Sequence, residues 1–92
     1  GITNNNLISR TELFNAYPNP FNPETTIEFT IKNNEKGILT IYNIKGQCIM
    51  KKEFSSGYHQ YHWNASRYSS GIYLYKLQTS DYNKMKKMIM LK

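Results

Sequence analysis

The sequence is poor in the residues that build most metal and cofactor sites. Of its 92 residues, only Cys48 is a cysteine and only Asp81 is an aspartate. A single cysteine excludes an intrachain disulfide and a zinc site built from cysteines, and one aspartate argues against an Asp-rich calcium loop. The five glycines stand singly rather than in a phosphate-binding loop. The sequence therefore predicts no metal site and no cofactor.

Long apolar runs are also absent. No stretch approaches the roughly 18–20 residues that cross a bilayer. The opening segment, GITNNN, has no apolar region of the kind found in a signal peptide. For an exported protein, this absence leads us to expect that the chain is one piece of a longer protein.

The ionisable residues do not suggest a catalytic group. His59 and His62 are close together on one predicted strand, and their odd spacing points them to opposite faces. Asp81 falls in a predicted hairpin turn. The glutamates are spread over predicted loops and solvent faces: Glu12, Glu24, Glu28, Glu35 and Glu53. Because a hydrolase needs its nucleophile, base and orienting acid together, we predict no catalytic residues and no enzyme activity.

Aromatic and basic residues are abundant. The chain has 8 Tyr, 4 Phe and 1 Trp, and its formal net charge is +6. Aromatic side chains bury a large area each, which a chain this short needs for its core. Four of the 12 basic residues are near the end of the sequence: Lys84, Lys86, Lys87 and Lys92. The charge suits an anionic surface polysaccharide as partner, whereas the scattered lysines do not indicate nucleic-acid binding.

Turn residues divide the chain at the spacing of a sandwich or barrel, and apolar residues alternate with polar ones between the turns. Seven strands are predicted, at about 13–18, 25–32, 37–43, 47–54, 58–64, 71–79 and 84–92. They indicate an all-β domain of two packed antiparallel sheets. Its expected core contains Phe29, Leu39, Ile41, Trp63, Tyr73 and Leu77. The polar residues 1–12 are predicted to be a linker, and residues 13–92 the domain.

The last predicted strand alternates poorly because apolar residues crowd together in it: Met85, Met88, Ile89, Met90 and Leu91. Such a strand is either buried on both faces or has one face that meets a partner.

Five segments in this order resemble the type IX secretion C-terminal sorting domain. They are YPNPFNPETTI at 17–27, LTIYNIKGQ at 39–47, YHWN at 61–64, SGIYLYKL at 70–77 and KKMIMLK at 86–92. The resemblance covers residues 13–92. The first segment is also similar to the immunoglobulin-like domain of flagellar hook-capping proteins, which supports the same fold.

The resemblance implies an immunoglobulin-like β-sandwich that acts as a non-catalytic sorting signal. It implies an upstream cargo, passage through the periplasm, an outer-membrane translocon and a sortase-like cysteine peptidase that cuts before Leu13. The destination would be the cell surface of a Gram-negative bacterium or the medium. The sorting-motif candidates are Pro18, Asn19, Pro20, Gly71, Tyr73, Lys86, Lys87 and Lys92.

An alternative function is an accessory module that docks a secreted enzyme to polysaccharide or to a neighbouring domain. Tyr42, Tyr58 and Tyr68 fall off the inward pattern, so they are the expected aromatic contacts for a sugar or a protein. Whichever of these functions applies, the last strand is a candidate for recognition by strand addition, since lysines lie beside apolar residues there.

Overall fold

The computed structural model describes residues 8–92, so the predicted linker is described only from Ile8 onwards. Seven strands are present: β1 (Glu12–Leu13), β2 (Glu24–Ile31), β3 (Gly37–Asn43), β4 (Cys48–Phe54), β5 (Gly57–Asn64), β6 (Gly71–Gln78) and β7 (Asn83–Met90). The predictions for β2 to β7 are confirmed with small shifts at their ends. No helix among the described residues is long and apolar enough to span a membrane.

The strands form two antiparallel sheets, one with the order β1-β2-β5 and the other with the order β4-β3-β6-β7. Alternation along each strand sends every second side chain between the sheets. All six expected core residues are buried there, and so are residues that the prediction did not include, among them Phe21, Tyr75, Met88 and Met90. The predicted class, an all-β antiparallel sandwich, is confirmed.

The prediction of a first strand over residues 13–18 is wrong, since β1 ends at Leu13. The following segment changes partners and so cannot continue as one strand. It first pairs with β2, where the Tyr17 N–H and carbonyl both bond to Thr26 at 3.0 Å. It then crosses to β7, where Phe21 forms a parallel bridge with Met90. Residues 14–23, called here the crossover segment, thus close one side of the sandwich.

Because the strands run up and down, alternate connections lie at the same end of the sandwich. The end where Ile8 enters carries the connections at 32–36, 55–56 and 79–82, and it is called here the entry end. The opposite end, called the loop end, carries 18–23, 44–47 and 65–70 together with residues 91–92. The two ends are therefore built from different parts of the chain.

The crowded apolar residues of β7 divide between its two faces. Met88 and Met90 are fully buried in the core, whereas Met85 on the opposite face is 48% exposed. Ile89 is half-buried on that outer face, beside Ile72 of β6. The strand is thus buried on one face, and no other part of residues 8–92 covers its opposite face.

Candidate functional site

The loop end brings together predicted sorting residues that are far apart in the sequence. Pro18, Asn19 and Pro20 lie in the crossover segment, and Gly71 is opposite Met90 in the β6–β7 ladder. The Lys92 N–H donates to Ser70 Oγ at 3.0 Å, which places residue 92 beside the start of β6. Five of the eight candidates therefore lie at one end of the molecule.

The crossover segment is hydrogen bonded to the outer edge of β7. Asn19 Nδ2 donates to the Lys87 carbonyl at 3.2 Å, and Asn19 Oδ1 accepts from the Ile89 N–H at 2.9 Å. The Phe21 N–H donates to the Ile89 carbonyl at 2.9 Å, and the Phe21 carbonyl accepts from the Leu91 N–H at 3.0 Å. An incoming strand would have to displace this segment to pair with residues 87–91.

Replacing Asn19 with alanine is expected to lower the free energy of unfolding by about 1–2 kcal/mol, since two hydrogen bonds to β7 are lost. The local effect should be clearer than the global one. Without Asn19 Oδ1, the Ile89 amide has no acceptor on the crossover segment, so its hydrogen exchange should become faster. Amide exchange followed by NMR measures this directly.

Asn22 is the matched control for this prediction. It is exposed in the same connection, and its side chain makes no hydrogen bond within residues 8–92. Asn22→Ala should leave both the stability and the exchange of Ile89 unchanged. Equal protection of the Ile89 amide in Asn19→Ala and the wild type would show that Asn19 does not hold β7.

Tyr73 is a packing residue beneath the loop end. It is only 5% exposed, and its hydroxyl donates to the Ser69 carbonyl at 2.6 Å. Its ring meets Trp63 edge-on with centroids 5.3 Å apart, and Trp63 also packs against Phe21 and Tyr68, each at 5.8 Å. The aromatic cluster of Phe21, Trp63, Tyr68 and Tyr73 therefore supports the loops above it.

Gly71 has a backbone conformation that other residues rarely adopt. Its φ is +151°, in a region where a side chain is strained although there is open space around the position. Gly71 also lines a hollow of about 240 Å³ between the connections at 44–47 and 65–70. Gly46, in the connection at 44–47, has φ +84°, a conformation that glycine adopts without strain.

The three lysine candidates lie in different places. Lys86 Nζ donates to Asn15 Oδ1 of the crossover segment at 3.1 Å. Lys87 is exposed on the outer face of the four-stranded sheet, opposite Leu74. Lys92 Nζ reaches the Ser66 carbonyl at 3.2 Å at the loop end. The structure therefore does not gather the lysines into one patch, and their sorting role stays a prediction.

The two ends of the sandwich differ in charge. At the entry end, Lys32 pairs with Glu35 and with Asp81, each at 3.4 Å, and the hydrogen bond that Lys32 Nζ donates to Asp81 contributes most to raising the pKa of Lys32. The connections of the loop end and residues 91–92 contain no acidic residue, but they carry Lys45, Arg67 and Lys92. The loop end is thus the basic end.

Lys45 and Arg67 were not among the sequence candidates. Lys45 lies in the segment LTIYNIKGQ and Arg67 in the connection at 65–70, and both connections look like ordinary turns in which a basic residue does not stand out. The signal that could have found them is the topology of an antiparallel sandwich, in which alternate turns share an end. Summing the charges of alternate turns would have revealed the basic end.

The described residues assemble no metal cluster. Within residues 8–92, no three or more His, Cys, Asp or Glu side chains come together as a metal site requires. His59 stacks on Phe29, while His62 bonds to Thr26 Oγ1 at 2.8 Å on the outer face, so the predicted opposite orientation of the histidines is confirmed. The absence of catalytic residues, of a metal and of a cofactor stays a prediction.

These features define a class of protein: a β-sandwich module in which an aromatic cluster supports the connections of the loop end. The chain belongs to the secretion system C-terminal sorting domain family, which matches residues 15–91. No curated protein matches the chain.

The family establishes the function. The domain is a sorting signal for type IX secretion, which exports a protein to the cell surface or out of the cell. The predicted family, fold class and sorting function are confirmed. The family acts in sorting rather than in catalysis, and its function implies contact with the type IX machinery.

Proposed function

We propose that the type IX machinery reads the loop end of the sandwich and that the cargo is attached at the entry end. The observation that carries this proposal is the convergence of Pro18, Asn19, Pro20, Gly71 and Lys92 at the end opposite Ile8. A receptor approaching the loop end would not collide with a cargo joined at the entry end. The basic side chains there suit an acidic receptor surface or an anionic surface polysaccharide.

The proposed partners follow from the family. An outer-membrane translocon would take the folded domain from the periplasm, and a sortase-like cysteine peptidase would cut upstream of it. Residues 8–12 already contact the sandwich: the Asn33 N–H donates to the Ile8 carbonyl at 3.0 Å, and the Lys32 N–H donates to Thr11 Oγ1 at 3.0 Å. Since a peptidase needs accessible, extended chain, these contacts support a cut before Ile8.

The domain itself is proposed to have no catalytic activity. His59 and His62 face opposite sides of their sheet, and Asp81 is engaged with Lys32 at the entry end. Among the described residues, His62 bonds to Thr26 Oγ1 and His59 to the Ser55 carbonyl, so neither histidine is oriented by a bonded carboxylate as a catalytic triad requires.

Charge neutralisation at the loop end tests the proposal. The chain is fused to a periplasmic reporter in a bacterium with the type IX apparatus, and the three loop-end cations are changed together to glutamine (Lys45, Arg67 and Lys92). Surface delivery is expected to fall several-fold, with the reporter accumulating in the periplasm, because an acidic receptor would lose its complementary charges. Surface immunolabelling and periplasmic fractionation measure the two pools.

The matched control changes three exposed lysines outside the loop end to glutamine (Lys36, Lys51 and Lys84). It lowers the net charge equally and should be exported like the wild type. If both triple variants reach the surface equally well, the loop end is not the receptor surface. Deletion of residues 84–92 is a poorer test, since it removes the fully buried Met88 and Met90 and so unfolds the domain.

A further inference from the structure

The outer face of the three-stranded sheet carries a groove beside the crossover segment. Thr26 and Glu28 of β2 and Gln60 and His62 of β5 form its floor, while Asn15 and Tyr17 of the crossover segment form its wall. Its volume is about 360 Å³, within the range of small-molecule sites. A second hollow shares Thr26 and His62 and continues past Pro18, so the groove is elongated.

Two exposed aromatic rings belong to this face: Tyr17 lines the groove, and Tyr58 is hydrogen bonded to Glu28 of its floor. Tyr17 is 81% exposed, and its backbone is bonded on both sides to Thr26, so an exposed ring stands on a well-fixed backbone. Tyr58 is 53% exposed and is opposite Thr30. Since Thr26 and Thr30 are four residues apart on β2, the two aromatic positions are separated by about 13 Å along the strand. That span suits a chain of several sugar units better than one monosaccharide.

The Tyr58 ring is held in place across the sheet. Its hydroxyl donates to Glu28, a neighbour on the same face, and this hydrogen bond raises the pKa of Tyr58 above its ordinary value. A tyrosine hydroxyl is protonated at neutral pH in any case, so it is available there as the donor to the Glu28 carboxylate. A ring with a fixed orientation loses little entropy when a ligand stacks on it.

The chemistry of the face points to a carbohydrate rather than to a protein. The outward residues of β2 and β5 offer hydroxyl, carboxylate, amide and imidazole groups but no aliphatic side chain. Sugars present hydroxyls for such groups and C–H faces for aromatic rings. A stable protein interface would need an apolar centre.

The charge of the face narrows the class of glycan further. Neither β2 nor β5 contains a lysine or arginine, although the chain has 12 of them, whereas Glu24 and Glu28 both lie on this face. An anionic glycan would meet two carboxylates and no basic side chain from these strands. We propose that this groove binds an uncharged oligosaccharide, with Tyr17 and Tyr58 as stacking platforms and Glu28, Gln60 and His62 as hydrogen-bonding groups.

Binding to a glycan panel tests this site. The 92-residue chain is assayed against insoluble xylan, mannan, β-glucan and chitin, against soluble uncharged oligosaccharides of increasing length, and against alginate and polygalacturonate. At least one uncharged glycan should bind, with affinity rising over the first few units, and the anionic polymers should not bind. Tyr17→Ala and Tyr58→Ala should each raise the Kd about ten-fold or more, as expected for truncated aromatic contacts.

Three variants make the test specific. Tyr58→Phe keeps the ring and should bind more tightly than Tyr58→Ala. Met85→Ala changes an exposed residue on the opposite sheet and should bind like the wild type. The Tyr17→Ala/Tyr58→Ala double variant should keep the thermal midpoint and type IX export of the wild type, which separates this site from the sorting surface.

Several outcomes would overturn the proposal. They are binding to none of the uncharged glycans, preference for an anionic polymer, and undiminished glycan binding by the double variant. Capture of a protein ligand on this face in place of any glycan would also overturn it.

Discussion

Replacing Trp63 with alanine is expected to lower the free energy of unfolding by about 3–5 kcal/mol, a large part of the stability of a domain this small. Trp63 is 6% exposed and contacts three other rings, Phe21, Tyr68 and Tyr73. Alanine would leave a cavity that the two sheets cannot close, because their separation is set by the other core residues. Urea denaturation followed by circular dichroism measures the change.

Gln60→Ala is the control, since Gln60 is an exposed residue on the same strand. The free energy of unfolding of this variant should stay within about 0.5 kcal/mol of the wild-type value. A loss below about 1 kcal/mol for Trp63→Ala would mean that this ring does not support the core. The variant should also be exported poorly, because the loops of the loop end rest on the same aromatic cluster.

Replacing Tyr75 with phenylalanine is expected to lower the free energy of unfolding by about 2–4 kcal/mol, although only one oxygen atom is removed. The Tyr75 hydroxyl accepts from the Ala16 N–H at 2.8 Å and donates to the Phe14 carbonyl at 3.0 Å. The side chain is fully buried, and this burial raises the pKa of Tyr75. The variant would leave both crossover-segment backbone groups unpaired, where water does not replace the lost partner.

Tyr82→Phe provides a graded comparison. The Tyr82 hydroxyl accepts one bond, from the Leu13 N–H at 2.9 Å, at a half-buried position. Loss of this bond should therefore lower the free energy of unfolding by about 1 kcal/mol, which is less than the loss of the two bonds at Tyr75. Equal stability of Tyr75→Phe and the wild type in urea would show that the hydroxyl does not hold the crossover segment in place.

Tyr75, Tyr82 and Asn19 together explain how this small sandwich keeps residues 12–23 in place. Among residues 12–23, only Glu12 and Leu13 form a regular strand, which pairs with β2. The crossover segment is held by backbone hydrogen bonds of Tyr17 and Phe21, by the Tyr75 hydroxyl from the other sheet and by its own Asn19. The sorting motif around Asn19 is therefore also a structural element, and variants there need a stability measurement before a recognition defect is inferred.

Much of the fold could be predicted because alternation is a local property of a strand. Ile27, Phe29 and Ile31 identify the buried face of β2 whatever β2 pairs with, and Trp63 and Tyr73 do the same for β5 and β6. The first strand was predicted wrongly because residues 14–23 pair with two different strands. No local pattern reports such a change of partner.

Two of the three tyrosines expected to be exposed contacts are placed differently by the structure. Tyr68 packs against Trp63 and Tyr73, and Tyr42 is half-buried with Lys76 Nζ 5.6 Å from its ring. Only Tyr58 is exposed as expected. Tyr17 is not among the predicted aromatic contacts, because in the sequence it belongs to the Pro-Asn-Pro motif. Its bridge to Thr26 puts it on the outer face of the sheet.

The sequence alone was sufficient for strands β2 to β7, their buried faces and the family, since these depend on spacing within short segments. Only the tertiary structure decided that Asn19 pairs with β7, that the crossover segment passes from β2 to β7, and that β2 and β5 are neighbours in one sheet. The physical reason is that these features depend on the order of strands in the sheets. That order is set by pairing between residues distant in the chain, which no local pattern encodes.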